Sequence, residues 1–216
     1  MEPTASSPLV FLTGAGGGIG SATVVALGAG GARVIGVNRR DADLSVYKDI
    51  LELTDRTAQE HGLLDWVVYA HGFIDAETDI TKQREEDIAA TFNINTLSVV
   101  YLTKLLLPRV RRGFVFISST AGLSPSGLYA AYSASKAAVN AFVQALAKNR
   151  SDLIFIAVCP GPTNTPMRQK IDADAASTQT PEVIANVIAD IIVGSSLYKS
   201  GDVIVVRDGR ASLQGR

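Results

Sequence analysis

Two side chains four positions apart, Tyr132 and Lys136, are the residues of this sequence best suited to acid–base chemistry. Positions at this spacing share one face of an α-helix, so the phenol and the ammonium group would project into the same space. A phenol has a pKa of about 10, and a neighbouring cation stabilises its ionised form and lowers that pKa. The pair therefore predicts a general acid or base that works near neutral pH. A chance meeting on a helix surface is the alternative, and the surrounding motifs decide between the two.

A glycine-rich segment, Thr13-Gly14-Ala15-Gly16-Gly17-Gly18-Ile19-Gly20, follows a short apolar run and precedes a helical pattern. Glycines let the backbone turn tightly and approach a pyrophosphate closely, and the phosphate charge then lies at the helix N-terminus. An ordinary strand-to-helix turn is the alternative. The position directly after the first predicted strand favours a dinucleotide-binding loop.

Short apolar runs alternate with longer segments of helical spacing, which is the pattern of a parallel sheet with crossover helices. Strands are predicted at 8–13, 33–37, 66–70, 114–118, 153–158 and 203–206, and long helices near 84–107, 129–149 and 181–193. No repeat or linker divides the chain. We therefore expect a single α/β domain over residues 1–216, with a doubly wound parallel sheet of about seven strands.

The segment 39–65 is too short for two crossover helices and a strand, because one helical crossover takes about a dozen residues. Four residues at helical spacing predict one helix here: Val46, Ile50, Leu53 and Thr57. This leaves 42–44 as a stub of a third strand, and it predicts a trimmed sheet edge near 39–46. A strand at 51–54 is the alternative, although it leaves too little chain for the next crossover.

Three motifs together resemble the short-chain dehydrogenase/reductase family, in its short single-domain form. They are the Thr-Gly-x-x-x-Gly-x-Gly spacing that starts at Thr13, the serines Ser118 and Ser119 at the end of a predicted strand, and the Tyr-x-x-x-Lys pattern of Tyr132 and Lys136. The resemblance implies a Rossmann fold and an enzyme that transfers a hydride between a nicotinamide cofactor and a carbonyl or secondary alcohol. A catalytically silent dinucleotide-binding regulator is the alternative, and the intact catalytic set argues against it.

The resemblance also implies roles for four catalytic residues. Ser119 would orient the substrate oxygen, and Tyr132 would give a proton to that oxygen or take one from it. Lys136 would lower the pKa of Tyr132 and hold the nicotinamide ribose. Asn95 matches the family's helix asparagine that anchors a proton-relay water, with Asn93 as the competing position.

The resemblance further implies a cofactor site. It is formed by the glycine loop, by the segments that follow the predicted strands at 33–37 and 66–70, and by the Pro160-Gly161 loop. Its residues are Gly14, Gly16, Gly18, Ile19, Gly20, Asn38, Arg39, Asp43, Leu44, Ala70, Gly72, Tyr132, Lys136, Pro160, Gly161, Thr163 and Thr165. NAD-using relatives carry Asp where this chain has Asn38, and Arg39 could contact a 2′-phosphate. We therefore expect NADP(H), with NAD(H) as the alternative because Asn38 can also bond a ribose hydroxyl.

One motif of this chain differs from the family pattern, and one segment has a composition that suggests a lid. Family members usually carry Asn-Asn-Ala-Gly where this chain has Tyr69-Ala70-His71-Gly72. We expect His71 to be a structural histidine near the adenine site rather than an added catalytic group. Residues 166–180 are polar and alanine-rich, and they are expected to form a mobile lid over the substrate.

Composition argues against several other classes of function. The 216 residues include 20 Lys and Arg against 21 Asp and Glu, and this balance does not favour nucleic acid or an anionic membrane as a partner. No apolar run approaches the roughly 20 residues of a membrane span, and the N-terminus lacks a signal-peptide pattern. We expect a cytoplasmic protein with no catalytic metal and a small-molecule substrate. The resemblance implies a homodimer or homotetramer.

Overall fold

The computed structural model describes residues 7–125, 127–172, 174, 176, 178–194 and 198–214, whose strands form one seven-stranded sheet. The strands are β1 (Leu9–Thr13), β2 (Arg33–Val37), β3 (Leu64–Tyr69), β4 (Val110–Ile117), β5 (Ile154–Pro160), β6 (Val203–Arg207) and β7 (Arg210–Leu213). They lie in the order β2-β1-β3-β4-β5-β6-β7, and all neighbours are parallel except the antiparallel pair β6 and β7. The predicted doubly wound α/β class is confirmed.

Helices cover both faces of the sheet. They are α1 (Gly18–Ala29), α2 (Tyr47–His61), α3 (Glu85–Phe92), α4 (Ser98–Leu106), α5 (Ala130–Asn149), α6 (Pro166–Gln169) and α7 (Pro181–Ile192). Helix α1 packs against α7 on one face, while α2, α4 and α5 share the apolar core on the other. Because both faces are covered, strand β1 is apolar on both sides and its Val10, Phe11 and Leu12 are fully buried. None of the helices in the described residues is long and apolar enough to cross a membrane.

The third strand predicted at 42–44 is absent, so that prediction is wrong. Residues 38–46 form turns instead, in which the Ala42 N–H donates to the Asn38 carbonyl at 3.4 Å and the Val46 N–H donates to the Asp43 carbonyl at 3.0 Å. Backbone groups used in turns cannot extend a sheet, and the alternative strand at 51–54 lies inside α2. Strand β2 is therefore the sheet edge, which confirms the trimmed edge. The seventh strand is β7, which the sequence pattern did not predict.

The long helix expected near 84–107 is interrupted. Residues Asn93–Leu97 form a π-helical turn between α3 and α4, and Leu107–Arg109 form a 3₁₀ turn after α4. A π-helical turn widens the helical ladder by one residue and is common at functional positions. Asn95 lies in the middle of this turn. The helices expected near 129–149 and 181–193 form as α5 and α7.

Candidate active site

Loops at the carboxyl ends of the parallel strands enclose a cavity of about 1250 Å³. Open α/β sheets bind ligands at this edge. The walls include nearly all of the residues singled out from the sequence: Gly14, Gly16, Gly18, Ile19, Asn38, Arg39, Asp43, Leu44, Ala70, Gly72, Ser119, Tyr132, Lys136, Pro160, Gly161, Thr163 and Thr165. Gly20 and Asn95 lie behind the walls. Among the described residues, no group of His, Cys, Asp and Glu is arranged to hold a metal ion.

The glycine loop is anchored to the end of β2 and leads into the N-terminus of α1. The N–H groups of Gly14 and Ala15 donate to the Val37 carbonyl at 2.8 and 3.2 Å. Gly14 has a φ of +73°, and a Cβ on it would lie 2.6 Å from the backbone nitrogen of His71. A Cβ on Gly20 would lie only 2.0 Å from the Gly14 oxygen. The close backbone approach leaves the start of α1 facing the cavity, an arrangement that fits the pyrophosphate of a dinucleotide.

The loop after β2 lines the cavity beside the glycine loop. The Asn38 Oδ1 accepts a hydrogen bond from the Gly16 N–H at 2.5 Å, which ties this loop to the glycine loop. Asp43 accepts bonds from the N–H and the hydroxyl of Ser45, and these bonds hold the pKa of Asp43 below its usual range. Arg39 is exposed at the cavity wall. This end therefore presents an amide and a guanidinium, while the Asp43 carboxylate is engaged by Ser45.

Ser119 and Tyr132 meet on the opposite wall of the cavity. Ser119 follows β4 and begins a 3₁₀ turn, where its hydroxyl oxygen accepts from the Ala121 N–H at 3.1 Å. Tyr132 lies in the first turn of α5. Burial raises the pKa of Tyr132, while its hydrogen bond with Ser119 and the charge of Arg168 act to lower that pKa. The net direction is upward, so the phenol is protonated at neutral pH.

Lys136 lies on the same face of α5, and its Nζ is 5.9 Å from the centroid of the Tyr132 ring. The ammonium group donates to the Ile117 carbonyl at 2.9 Å. Burial lowers the pKa of Lys136 to about 8. The sequence predicted that Lys136 lowers the pKa of Tyr132, but in the structure the pKa of Tyr132 is raised. Burial of the phenol outweighs the charges around it, and the Lys136 ammonium group donates to the Ile117 carbonyl.

Asn95, in the π-helical turn, forms hydrogen bonds that connect this turn to the loop after β3 and to α5. Its Oδ1 accepts from the Phe73 N–H at 2.7 Å, and its Nδ2 donates to the Phe73 carbonyl at 2.8 Å and to the Ser135 hydroxyl at 3.0 Å. The side chain is 1% exposed. Asn95 thereby fixes the loop after β3 against α5, next to Gly72 and Lys136 on the cavity wall. Asn93, the competing position, stands at the start of the turn and is partly exposed.

His71 bridges the end of β1 and the start of α4. Its Nδ1 is 2.6 Å from the Thr13 hydroxyl and its Nε2 is 2.7 Å from the Ser98 hydroxyl. Because the Ser98 hydroxyl donates its only proton to the Ile94 carbonyl at 2.6 Å, Nε2 must be the protonated nitrogen. Burial, with a smaller contribution from the Lys136 charge, lowers the pKa of His71 to about 3. The imidazole is therefore neutral, as the structural interpretation of this residue requires.

The loop after β5 completes the cavity on the side of Ser119 and Tyr132. The Gly161 N–H donates to a carbonyl of β6 at 2.8 Å, and the Thr163 hydroxyl donates to the Gly161 carbonyl at 2.9 Å. Thr165 caps α6 by accepting from the Arg168 N–H at 3.2 Å. A Cβ on Gly18 would lie 2.7 Å from Thr165 Cγ2, so this segment crosses directly over the glycine loop.

The expected lid at 166–180 is described only in part, since residues 173, 175 and 177 lie outside the described residues. Residues 166–169 form α6, and Met167, Arg168, Ile171 and Asp172 line the cavity. The Tyr129 hydroxyl donates to the Ile171 carbonyl at 3.4 Å, which ties the segment to α5.

Arg168 is the main functional candidate that sequence reasoning missed. Its guanidinium forms an ion pair with Asp172 through Nη2, and its charge acts on Tyr132. Its Nε is buried and has no hydrogen-bond partner among the described residues. The sequence signal was slight: a basic residue four positions before an acidic one, directly after the Pro-Gly loop.

Comparison with known proteins identifies the relatives of this chain. The family model described as short chain dehydrogenase matches residues 39–176. An uncharacterized oxidoreductase of Schizosaccharomyces pombe is 32% identical over 192 residues, which cover 77% of this chain and 75% of that protein. A 3-oxoacyl-(acyl-carrier-protein) reductase of Thermotoga maritima is 29% identical and covers 92% of this chain and 96% of its own.

Solved structures share the arrangement along nearly the whole chain. The crystal structure of a short chain dehydrogenase of Escherichia coli CFT073 complexed with NADPH has a TM-score of 0.81 and 26% sequence identity. The similarity covers 92% of this chain and 95% of that one. That protein binds a nicotinamide cofactor on the same fold.

Proposed function

This chain belongs to the short-chain dehydrogenase/reductase family, and we propose that Tyr132 is the general acid and base of its carbonyl and alcohol chemistry. Members of the family use NAD(H) or NADP(H), so the chain is an NAD(P)-dependent oxidoreductase and not a silent nucleotide-binding regulator. The observation that carries the Tyr132 assignment is the convergence of Ser119, Tyr132 and Lys136 on one wall of a cavity whose other wall is the glycine loop.

Each residue of the catalytic wall has a distinct task in this proposal. A bound nicotinamide supplies the hydride in reduction and accepts it in oxidation. Ser119 holds the substrate oxygen beside the phenol, as preorganised donors do at sites where oxygen gains negative charge. Tyr132 releases its proton to that oxygen in reduction and takes it back in oxidation. The raised pKa of Tyr132 keeps the phenol in the protonated form that reduction requires.

Lys136 and Asn95 assist this proton transfer without contacting the substrate oxygen themselves. With a pKa of about 8, Lys136 can exchange a proton near neutral pH. From its place in the cavity wall, its ammonium group would also hold the nicotinamide ribose, as the family resemblance implies. Asn95 fixes the Phe73 backbone and the Ser135 hydroxyl around this point. We propose that the two residues restore the proton on Tyr132 after each turnover, with Asn95 anchoring the relay water that the family resemblance implies.

A Tyr132→Phe variant tests the acid–base assignment. We expect turnover of a ketone panel to fall by about 100-fold or more, because general acid–base groups contribute about that much. NADPH should still bind to the variant, as measured by isothermal titration calorimetry. Tyr47→Phe is the matched control, since Tyr47 is exposed on α2 outside the cavity. Full activity in the Tyr132 variant would rule out the assigned role.

We propose that NADP(H) is the preferred cofactor. Support comes from Arg39 at the cavity wall and from the neutral Asn38, which stands where an acidic residue would repel a 2′-phosphate. The glycine loop, Ala70, Gly72 and the Pro160–Thr165 loop would hold the remaining parts of the dinucleotide. An Arg39→Ala variant should weaken binding of NADPH by about 10- to 100-fold and leave NADH nearly unaffected, because one charged hydrogen bond is worth about 1.5–3 kcal/mol. Equal losses for both cofactors would refute the phosphate contact.

We propose that the enzyme works as a single catalytic domain, in the cytoplasm, and as a homodimer or homotetramer. The one continuous sheet supports a single domain. The exposed Leu97, on the side of the helices near 84–107 and 129–149, supports assembly through those helices. Sedimentation equilibrium measures the assembly, and a monomer at micromolar concentration would contradict it. Cell fractionation tests the compartment.

A further inference from the structure

Three segments contribute large apolar side chains to the wall of the cavity. They are the loop after β3, the segment between β4 and α5, and the segment that carries α6, and the side chains are those of Phe73, Ile74, Leu128, Met167 and Ile171. Leu128 is 48% exposed and Met167 is 36% exposed. Apolar side chains from separate segments that meet at one open cavity are typical of a ligand-binding site.

Met167 lies close to the proposed catalytic residues. Its Cε is 3.7 Å from the position that a Cβ on Gly72 would take, and the Lys136 Nζ is 3.6 Å from the same point. The Nζ atom in turn lies 5.9 Å from the centroid of the Tyr132 ring. The methyl group of Met167 is therefore within reach of a substrate bound at Tyr132.

Two other apolar walls are tied to α5, the helix that carries Tyr132. The Ile171 carbonyl accepts from the hydroxyl of Tyr129, which lies about one turn before Tyr132, at 3.4 Å. The Phe73 backbone is bonded in both directions to Asn95, which also donates to the Ser135 hydroxyl on α5. These bonds hold the apolar walls around the place where the carbonyl group is proposed to react.

The charges that the same three segments bring to the cavity are paired with each other. Among their described residues, the charged side chains in the wall are Arg168 and Asp172, which form an ion pair. A charged group on a ligand would find no unpaired opposite charge on these segments, and it would lose water on entering the cavity. Burial of an unpaired charge is costly, so this part of the cavity favours an uncharged ligand.

We infer that the preferred substrates are uncharged ketones and secondary alcohols with a hydrocarbon chain, and that Met167 selects them by contacting that chain. This inference rests on the proposed carbonyl chemistry at Tyr132. Burial of hydrocarbon stabilises the bound substrate and the transition state alike, so its effect is measured as kcat/KM. Tyr132 remains the proton donor, and Met167 determines which substrates reach it.

A homologous series of methyl ketones tests the inference. We would measure kcat/KM from 2-butanone to 2-octanone, with whichever of NADPH and NADH binds more tightly, because these ketones differ in chain length and hardly in intrinsic reactivity. Each added methylene should raise kcat/KM by about threefold to fourfold, so the series should span about 100-fold. The anion 5-oxohexanoate is as long as 2-heptanone and should be reduced about tenfold less efficiently or worse, since its carboxylate lacks a partner.

Variants of Met167 show whether this side chain is responsible. Met167→Gln keeps the length of the side chain but ends in an amide, so kcat/KM for 2-octanone should fall by about tenfold or more relative to 2-butanone. Met167→Leu stays apolar and should retain the dependence on chain length. Leu63→Gln is the matched control, because Leu63 is 48% exposed and lies outside this cavity.

Binding of the product alcohols gives a readout that does not depend on turnover. Ligand-observed NMR without nucleotide would compare 2-butanol with 2-octanol. The wild type should bind 2-octanol more tightly than 2-butanol, and Met167→Gln should weaken the binding of 2-octanol alone.

Each outcome decides a different claim. Turnover of the ketones without regard to chain length, or a preference for 5-oxohexanoate over 2-heptanone, would overturn the inference while leaving the proposed function intact. An unchanged chain-length dependence in Met167→Gln would overturn the role of Met167, and dissociation of the protein by that variant in sedimentation equilibrium would then assign Met167 to a subunit contact. A wild-type enzyme that binds the cofactor but reduces none of the ketones and oxidises neither alcohol would overturn the proposed function, and the inference with it.

Discussion

The neutral imidazole of His71 makes the stability of this protein depend on pH in a way that one substitution should remove. Its pKa is about 3 in the folded chain, whereas an unfolded histidine titrates at about 6.5. Because the unfolded chain binds the extra proton first, stability is lost as the pH falls below the unfolded value and towards the folded one. Integration between about pH 7.5 and about pH 5 gives a loss of about 2 kcal/mol from this one residue.

Urea unfolding measures the effect. The single Trp66 is buried in the core, so its fluorescence reports on unfolding. The free energy of unfolding would be compared between wild type and His71→Gln across this pH range, since glutamine hydrogen-bonds but does not titrate. The difference between the two proteins should shrink by about 2 kcal/mol from the upper to the lower pH. Only this slope carries the test, because the variant also loses packing.

The second histidine of the chain provides a matched control. His61 ends α2 and is exposed, so His61→Gln controls for the general effect of replacing a histidine by glutamine. If His71→Gln follows the wild-type curve in parallel across the range, the histidine is not held neutral between Thr13 and Ser98. The hydrogen-bond assignment derived for Ser98 and Ile94 would then be wrong.

Two further predictions concern the supports of the site. Asn95→Asp replaces the Nδ2 donor by an oxygen that faces the Phe73 carbonyl 2.8 Å away, so we expect a loss of about 2–4 kcal/mol in the free energy of unfolding. A variant as stable as wild type would contradict the role of Asn95 in holding the loop after β3 against α5. Gly20→Ala adds a Cβ 2.0 Å from the Gly14 oxygen, and the resulting displacement of the glycine loop should weaken NADPH binding by about tenfold or more. A Cβ at Gly28, on the same helix, meets nothing within 4 Å, so the Gly28→Ala variant should bind NADPH with the wild-type affinity in calorimetry. Equal affinities in the two glycine variants would show that the loop does not form the phosphate site.

The arrangement of Tyr132, Lys136 and the glycine loop around one cavity could be predicted from the sequence because the information is local. The spacing of Tyr132 and Lys136 is a property of one helix, and the glycine loop is a property of one strand-to-helix turn. The apolar runs predicted six of the seven strands because parallel strands are buried on both faces. Whether these residues carry the assigned roles stays a prediction until the variants are made.

What could not be predicted depends on distant parts of the chain. The missing third strand follows from turns at Asp43 that compete with strand pairing, and the π-helical turn around Asn95 has no composition signal of its own. The direction of the Tyr132 pKa is set by burial, which spacing alone does not reveal. Arg168 lines the cavity only because the segment after β5 crosses over the glycine loop, which local sequence does not reveal.

The trimmed edge of the sheet has a consequence for behaviour in concentrated solution. Among the described strands, β2 pairs only with β1, so its outer side offers backbone donors and acceptors to any extended segment of another molecule. Two features of β2 disfavour such cross-chain pairing: it is only five residues long, and it begins with the exposed side chain of Arg33. Protection against edge-to-edge aggregation at this side of the sheet therefore depends on brevity and a single positive charge.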